Sequence, residues 1–392
     1  MEGPRPRRVS TLSAGRRGRI MSQTFFIMSA EKKLLEFYPD SMKVVRAYEE
    51  NSRLFPPLLS LQAGPRQLAA WLNSRVSPLG RKILNKVKHR SEGPLGILGV
   101  TLGLSLNDVW WISDGSHNWR DVNFYENKLD PDIAKAVFSE EPIPMLSEVS
   151  RSPEFSTGGD MAKHWFKRGN EIFLAKKDVP DQDGLCQTVM EWFAWQAAEA
   201  MGLEAVAYVL RPLHGDILSP VCECKAFTDI RTGFMPAGAF LLSHGAWNGL
   251  VDALSMTETH VAFAQAMGVE FYEDMMVFDA LIGNSDRHLG NFGMLFDNNT
   301  GEVLRPAPLF DHGLSFAEDE CCRSFSRDRQ LEIFVRPRHE RMLETALHLE
   351  FKRHPEIPVS EKAVERMQHY VHRGAEEALR LLDSPTCSLS PR

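Results

Sequence analysis

Apolar and polar residues alternate over Glu171–Lys177, placing Ile172, Leu174 and Lys176 on one face; successive strand side chains point to opposite sides, so this stretch predicts a strand. Leu185–Met201 changes to helical spacing, and Gly202 supplies a C-terminal stop. Ala205–Leu210 and Val221–Phe227 return to strand patterning. Ser152–Gly159, rich in Ser, Pro, Thr and Gly, is a loop ahead of them. From about Thr257 the spacing is helical, with Phe271–Ile282 the strongest segment. A strand, turn and strand follow at Phe292–Phe296, Asp297–Gly301 and Glu302–Leu304. Helices near His339–His348 and Ser360–Leu382 come next, and Ser384–Arg392 reads as a frayed tail. No internal repeat is present.

The first third is less regular. Arg66–Ser74 and Gly80–His89 carry apolar residues at helical spacing, and Pro78 separates them. Gly103–Ser113 (GLSLNDVWWIS) reads as a turn entering an aromatic-rich packed segment, with Trp110 and Trp111 as core. The expectation for residues 22–145 is a mixed, mainly helical unit.

Charge changes the picture at one end. Six arginines and one acid fall in the first twenty residues, so the rest is more acidic than the net charge of −7. Residues 1–21 lack apolar periodicity and read as a disordered basic tail; with no apolar run behind it, the tail is no secretory signal. Met21 opens the first patterned stretch, so an upstream mis-assigned start is the expected origin of that tail. The acidic balance argues against nucleic-acid binding except through the tail. No apolar run is long enough for a spanning helix, so no membrane partner is expected. Six cysteines include the adjacent Cys321 and Cys322 and the pair Cys222 and Cys224, without a disulfide or zinc framework; a reducing cytoplasm fits them.

The chemistry concentrates in GNSDRHLGN (Gly283–Asn291) and FDHG (Phe310–Gly313). Asp286 and Asn291 lie five positions apart on a polar loop, and Asp311 follows the strand–turn–strand stretch. Kinases use such a set: one aspartate orients the attacking hydroxyl, while an asparagine and a later aspartate hold Mg²⁺ on ATP. Asp286 is the catalytic candidate, against the plain alternative of a turn cap. Asn291 and Asp311 are the metal candidates, because hard Mg²⁺ takes oxygen ligands; the alternatives are a loop-closing hydrogen bond and a helix cap. Arg287 either neutralises a phosphate or anchors a carboxylate. His288 either braces the loop or touches the γ-phosphate.

An inward lysine needs an anionic partner, which makes Lys176 the nucleotide lysine and Glu191, on the following helix, its ion-pair partner. A surface Lys176 beside an inward Lys177 is the competing register. Ser156–Lys163 (STGGDMAK) is the candidate phosphate loop. Gly158 and Gly159 let backbone amides approach an anion, and Lys163 adds charge, although no Walker A motif is present. Cys222–Phe227 falls where a kinase hinge would meet adenine.

The GN-x-DRH-x-GN loop resembles that of the HipA-like kinase family, and its DRH is similar to that of phosphoinositide kinases. The resemblance runs from about Ser152 to Leu382. It implies a two-lobed, protein kinase-like α+β fold with the accessory region at 22–145, a small lobe at 146–235, a helical large lobe at 236–384, and tails at 1–21 and 385–392. It further implies Mg-ATP-dependent transfer to a protein Ser or Thr hydroxyl. Ser156, Gly159 and Lys163 fit the family's Ser-x-x-Gly-x-x-x-Lys loop, which makes Ser156 a candidate self-phosphorylation site. An antitoxin-like regulator in a bacterial toxin–antitoxin setting is the partner implied. The chain departs from the wider kinase pattern in DRH for HRD and in His312, which stands where DFG has an aromatic residue. Kinases of a lipid or small-molecule hydroxyl, or a pseudokinase binding module, are the alternatives.

Overall fold

The computed structural model describes residues 23–77, 95–131, 138, 151–159, 161–213, 216–243, 264–265, 267–316 and 326–383. The candidate helix at Gly80–His89, both tails and the Cys321–Cys322 pair lie outside them.

The first unit departs from the mainly helical expectation. It is built on a four-stranded antiparallel sheet in the order β3-β2-β1-β4, from β1 (Phe25–Ser29), β2 (Lys32–Tyr38), β3 (Lys43–Ala47) and β4 (Trp110–Ser113). Pattern reading missed these strands for a physical reason. Leu34 and Leu35 are adjacent yet both fully buried, and the register shifts between Ile27 and Met28 and between Glu36 and Phe37. Bulges and burial on both faces erase the period-two signal. The expected helix at Arg66–Ser74 does form, as α1 (Pro65–Ser74), with Leu68, Trp71 and Leu72 turned into the core.

A second four-stranded antiparallel sheet, β5-β6-β8-β7, comprises β5 (Ala162–Arg168), β6 (Glu171–Lys177), β7 (Tyr208–Leu213) and β8 (Asp216–Lys225). Strand β6 has the expected limits. Helix α2 (Gln187–Ala200) packs on β7 and β8 and ends at Gly202, whose φ of 74° fits the expected stop. Strand β5 was not anticipated, because it is an edge strand with scattered charges and little alternation.

Strand β9 (Thr232–Pro236) leads to α3 (Ala237–Ser243). It also pairs with β10 (Gly293–Asp297), which pairs with β11 (Val303–Pro306). Among the described residues α4 (Val269–Ile282), α5 (Arg327–Phe334), α6 (Glu340–Leu347) and α7 (Glu361–Asp383) follow. Helix α4 is apolar almost all round, because α5 and α7 pack against it. The chain is therefore α+β, as expected. Among the described residues no helix is long and apolar enough to cross a membrane.

The first unit is joined to the core rather than tethered. Trp110 stacks on Phe296 of β10 at 5.2 Å between ring centroids, and its indole N–H donates to the Leu54 carbonyl at 2.8 Å. The GLSLND turn meets the chain after β8: Thr228 Oγ1 donates to the Leu106 carbonyl at 2.6 Å, and the Phe234 amide donates to the Asn107 carbonyl at 2.6 Å.

Candidate active site

Lys176 stands at the centre of a buried charge cluster. It ends β6 on the inward face, and its Nζ contacts Glu191 Oε1 on α2 and Asp311 Oδ1 at 2.8 Å. The ammonium also faces the Tyr208 ring at 5.8 Å. Glu191 is fully buried and Lys176 is 4% exposed. Burial alone would pull Lys176 down, but Asp311 and Glu191 outweigh it and hold the ammonium well above the ordinary lysine range. Burial would likewise raise Asp311; Lys176 and Lys163 overcome it and keep the carboxyl well below the ordinary carboxylate range. The competing register, with Lys177 inward, does not occur.

Lys163 belongs to β5 rather than to the loop, and pairs in register with Lys176. Directly opposed residues share a face, so two lysines look toward Asp311. Gly159 arches over the first of them. It has φ of 84°, and a Cβ there would stand 2.5 Å from Lys163 Nζ. That close approach is why a glycine occupies the position. The loop is tied down behind: Glu154, 1% exposed, accepts from the Trp165 amide at 2.8 Å and from the Ser152 hydroxyl. Burial raises the Glu154 carboxyl. Ser156 is half-buried, and its hydroxyl donates to the Pro153 carbonyl at 3.1 Å.

The GNSDRHLGN segment leaves α4 through Gly283, at φ 64°. Its shape depends on Arg287 and Asp279. Arg287 Nε and Nη2 donate to the two carboxylate oxygens of Asp279 at 2.7 and 2.9 Å. Its Nη1 donates to the carbonyls of Asn291 at 2.5 Å and Phe310 at 3.0 Å. One side chain thus fastens both ends of the loop to the residue before Asp311, and its donors are used inside the protein. Arg287 is a positioning residue here. Asn284 Nδ2 adds a bond to Asp279 Oδ1 at 2.9 Å, and Asn284 Oδ1 accepts from the Asp286 amide at 3.2 Å.

Asn291 Nδ2 donates to the Asp286 carbonyl at 2.9 Å, which orients the amide and leaves Oδ1 as an acceptor. The Asp286 carboxylate has no hydrogen-bond or ion-pair partner among the described residues. His288 is exposed and accepts from the Gly290 amide through Nδ1 at 3.0 Å, bracing the loop turn. Asp311 has φ of 62°, a left-handed conformation that costs a non-glycine residue about 1 kcal/mol. Its Lys176 bond, the Arg287–Phe310 bond and its own amide's bond to the Tyr208 hydroxyl at 3.3 Å hold it there.

The donor chemistry fits a magnesium ion: one carboxylate and one amide oxygen, with phosphate and water oxygens to complete the shell. Asn291 and Asp311 would hold it. The two lysines and the Gly158–Gly159 loop suit the phosphates of ATP.

Asp279 and Tyr208 escaped the sequence reading. Asp279 carried a usable signal: a carboxylate in the apolar run VFDALI must find a partner once buried. His312 was legible only as the residue standing where DFG has an aromatic. It is buried edge-on to Phe278 at 5.4 Å, and neither ring nitrogen has a partner among the described residues. Burial, helped by Arg287, holds its pKa well below the ordinary histidine value.

No family model and no curated protein matches the chain. Among solved structures, it is similar to HipA of Shewanella oneidensis MR-1, determined with HipB and operator DNA. Identity is 14% and the TM-score 0.58, over 94% of this chain and 100% of HipA. A second match is the Helicobacter pylori proinflammatory kinase CtkA, at 17% identity and TM-score 0.37, covering 56% of this chain and 94% of that one. At such identity it is the fold that is shared with HipA, and this chain's fold is the HipA-like one: an α+β, kinase-like core carrying a further N-terminal unit.

Proposed function

We propose that the protein is a Mg-ATP-dependent kinase of HipA-like type that phosphorylates a Ser or Thr hydroxyl of a protein. The observation that carries this reading is the Lys176 ammonium held between Glu191 and Asp311, with the Asp286–Asn291 loop fastened beside it by Arg287. ATP, when bound, supplies the γ-phosphoryl group, and its Mg²⁺ offsets the charge that develops during transfer. Asn291 and Asp311 hold the metal. Lys176, Lys163 and the amides around Gly158 and Gly159 bind and orient the phosphates. Asp286 accepts or orients the proton of the incoming hydroxyl. Transfer of this kind depends on positioning and charge stabilisation, so a pre-assembled cluster suits it.

Two finer elements belong to the same proposal. Ser156 is a self-phosphorylation site, and about two negative charges there would oppose ATP phosphates and silence the enzyme. The HipA structure contains HipB and operator DNA. By analogy this chain works in the cytoplasm under an antitoxin-like protein regulator.

The test is a phosphorylation assay with radiolabelled ATP and Mg²⁺ in a bacterial lysate, separated into protein and lipid fractions, for the natural protein and Asp286→Ala. Label in protein from the natural chain alone is expected. Label in lipid overturns the acceptor assignment, and equal labelling by both proteins overturns the catalytic one. A Ser156 peptide that stays unmodified after ATP treatment removes the self-phosphorylation element.

A further inference from the structure

A cavity of about 480 Å³ lies between the N-terminal end of α2, the catalytic segment and α7. Met190 and Phe316 supply apolar wall. Ser285, the residue before Asp286, reaches it, as does Ser315, four residues after Asp311. The cavity therefore adjoins both halves of the proposed catalytic set without containing Lys176, Asn291 or Asp311.

Two observations say what it would take. The first is an orphaned polar atom. Ser315 is 3% exposed, and its hydroxyl has no partner among the described residues. Leaving a buried hydroxyl without a partner is unfavourable, and a ligand atom reaching it removes that cost. The second is the sign of the charge. The loop between β6 and α2 contributes one acid to the lining, Asp181. Asp181 lines the cavity; its Oδ1 accepts the amides of Asp183 and Leu185, both at 2.9 Å, and no cation pairs with it among the described residues. Arg366 also lines the cavity but stands 3.9 Å from Asp183 Oδ2, which matches its charge. Asp181 is thus the lining charge left for a ligand to meet. Ser285 Oγ donates to the Leu314 carbonyl at 3.1 Å, which leaves its lone pairs free to accept.

We propose that this cavity is a specificity subsite for the protein substrate, receiving a lysine or arginine side chain that flanks the phosphorylated hydroxyl. The aliphatic stem packs on Met190 and Phe316, and the cationic head meets Asp181 and the serine hydroxyls. Apolar walls with an acidic end suit a side chain that is itself apolar along its length and charged at its tip. The inference rests on the kinase reading above and names the acceptor sequence that the same site prefers.

The experiment is peptide phosphorylation by the full chain. A library with fixed serine and one varied flanking position is compared between the natural protein, Asp181→Asn and Arg366→Gln. Asparagine keeps the oxygen that accepts the two loop amides, so the wall should survive. Glu204→Gln, a surface neutralisation elsewhere, controls for net charge. The expected result is a preference for Lys or Arg in the natural protein, seen as a KM at least about tenfold lower than for alanine, which is the 1.4 kcal/mol scale of an ion pair formed on binding. Asp181→Asn should lose most of that preference with kcat unchanged, while Glu204→Gln keeps it. A natural enzyme with no basic preference, or a preference untouched by Asp181→Asn, overturns the subsite and leaves the kinase reading standing. An acidic preference abolished by Arg366→Gln overturns it with the opposite sign. A chain that turns over Mg-ATP through Asp286 yet labels no peptide or protein overturns subsite and protein substrate together.

Discussion

Arg287 and Asp279 meet through two parallel hydrogen bonds of 2.7 and 2.9 Å, with the arginine side chain 7% exposed and the aspartate 1%. A fork-to-fork pair of this kind fixes geometry as well as charge. Asp279→Asn should therefore leave a buried guanidinium without its counter-charge. The expected loss is about 3–5 kcal/mol of stability, read by urea unfolding. Phosphoryl transfer should fall by about 100-fold in the folded fraction, because the loop bearing Asp286 and Asn291 loses its fastening. A variant as stable and active as the natural chain would show that the pair is dispensable.

Asp311→Asn is nearly isosteric and keeps an oxygen for Lys176. The variant should fold, bind Mg²⁺ more weakly, and lose about 100-fold or more in Mg-dependent turnover. Mg²⁺ titration of the residual rate checks this: the half-saturating concentration should move upward. An unchanged titration curve would be incompatible with the metal role.

The depressed Asp311 carboxyl carries a pH signature. A group whose folded pKa lies below its unfolded value of 3.8 adds stability that is complete above that value and lost as pH falls toward the folded one. Without nucleotide or metal, the natural protein should exceed Asp311→Asn in stability near neutral pH, and the gap should narrow as the pH drops below about 4. Urea midpoints at several acid pH values measure it. A gap that widened on acidification would reverse the sign and refute the assignment.

Gly184 sits with φ of 81° under the Pro358 carbonyl, where a Cβ would lie 2.1 Å from the oxygen. Gly184→Ala should cost about 2 kcal/mol or more, from the left-handed backbone and the overlap together. A thermal midpoint unchanged from the natural protein would mean that the two segments separate freely.

Much of this site could be read from residue order, for reasons visible in the fold. Lys176 fell in phase with Ile172 and Leu174, and an inward lysine demanded Glu191. Asp286, Asn291 and Asp311 stood out by spacing as candidates. What escaped depends on three-dimensional closure. Lys163 looks like the end of a glycine loop until β5 pairs with β6 and brings it opposite Lys176. The four strands of the first unit are hidden because Leu34 and Leu35 are both buried, so alternation is lost. Arg287 could be named but not assigned, since its partner Asp279 lies one helical turn before the loop and the Phe310 carbonyl 23 residues after it.

Helix α2 is gripped from the far side by the stretch that precedes α7. Gln196 exchanges two hydrogen bonds with the Lys352 backbone, at 2.8 and 3.2 Å. Trp192 meets His354, Phe193 meets Phe351, and Ser360 bonds Asp183 ahead of the helix. Helix α2, and Glu191 with it, is thereby held from a second side besides β7 and β8. In the kinase proposed above, swinging α2 away from Lys176 would first have to break these contacts.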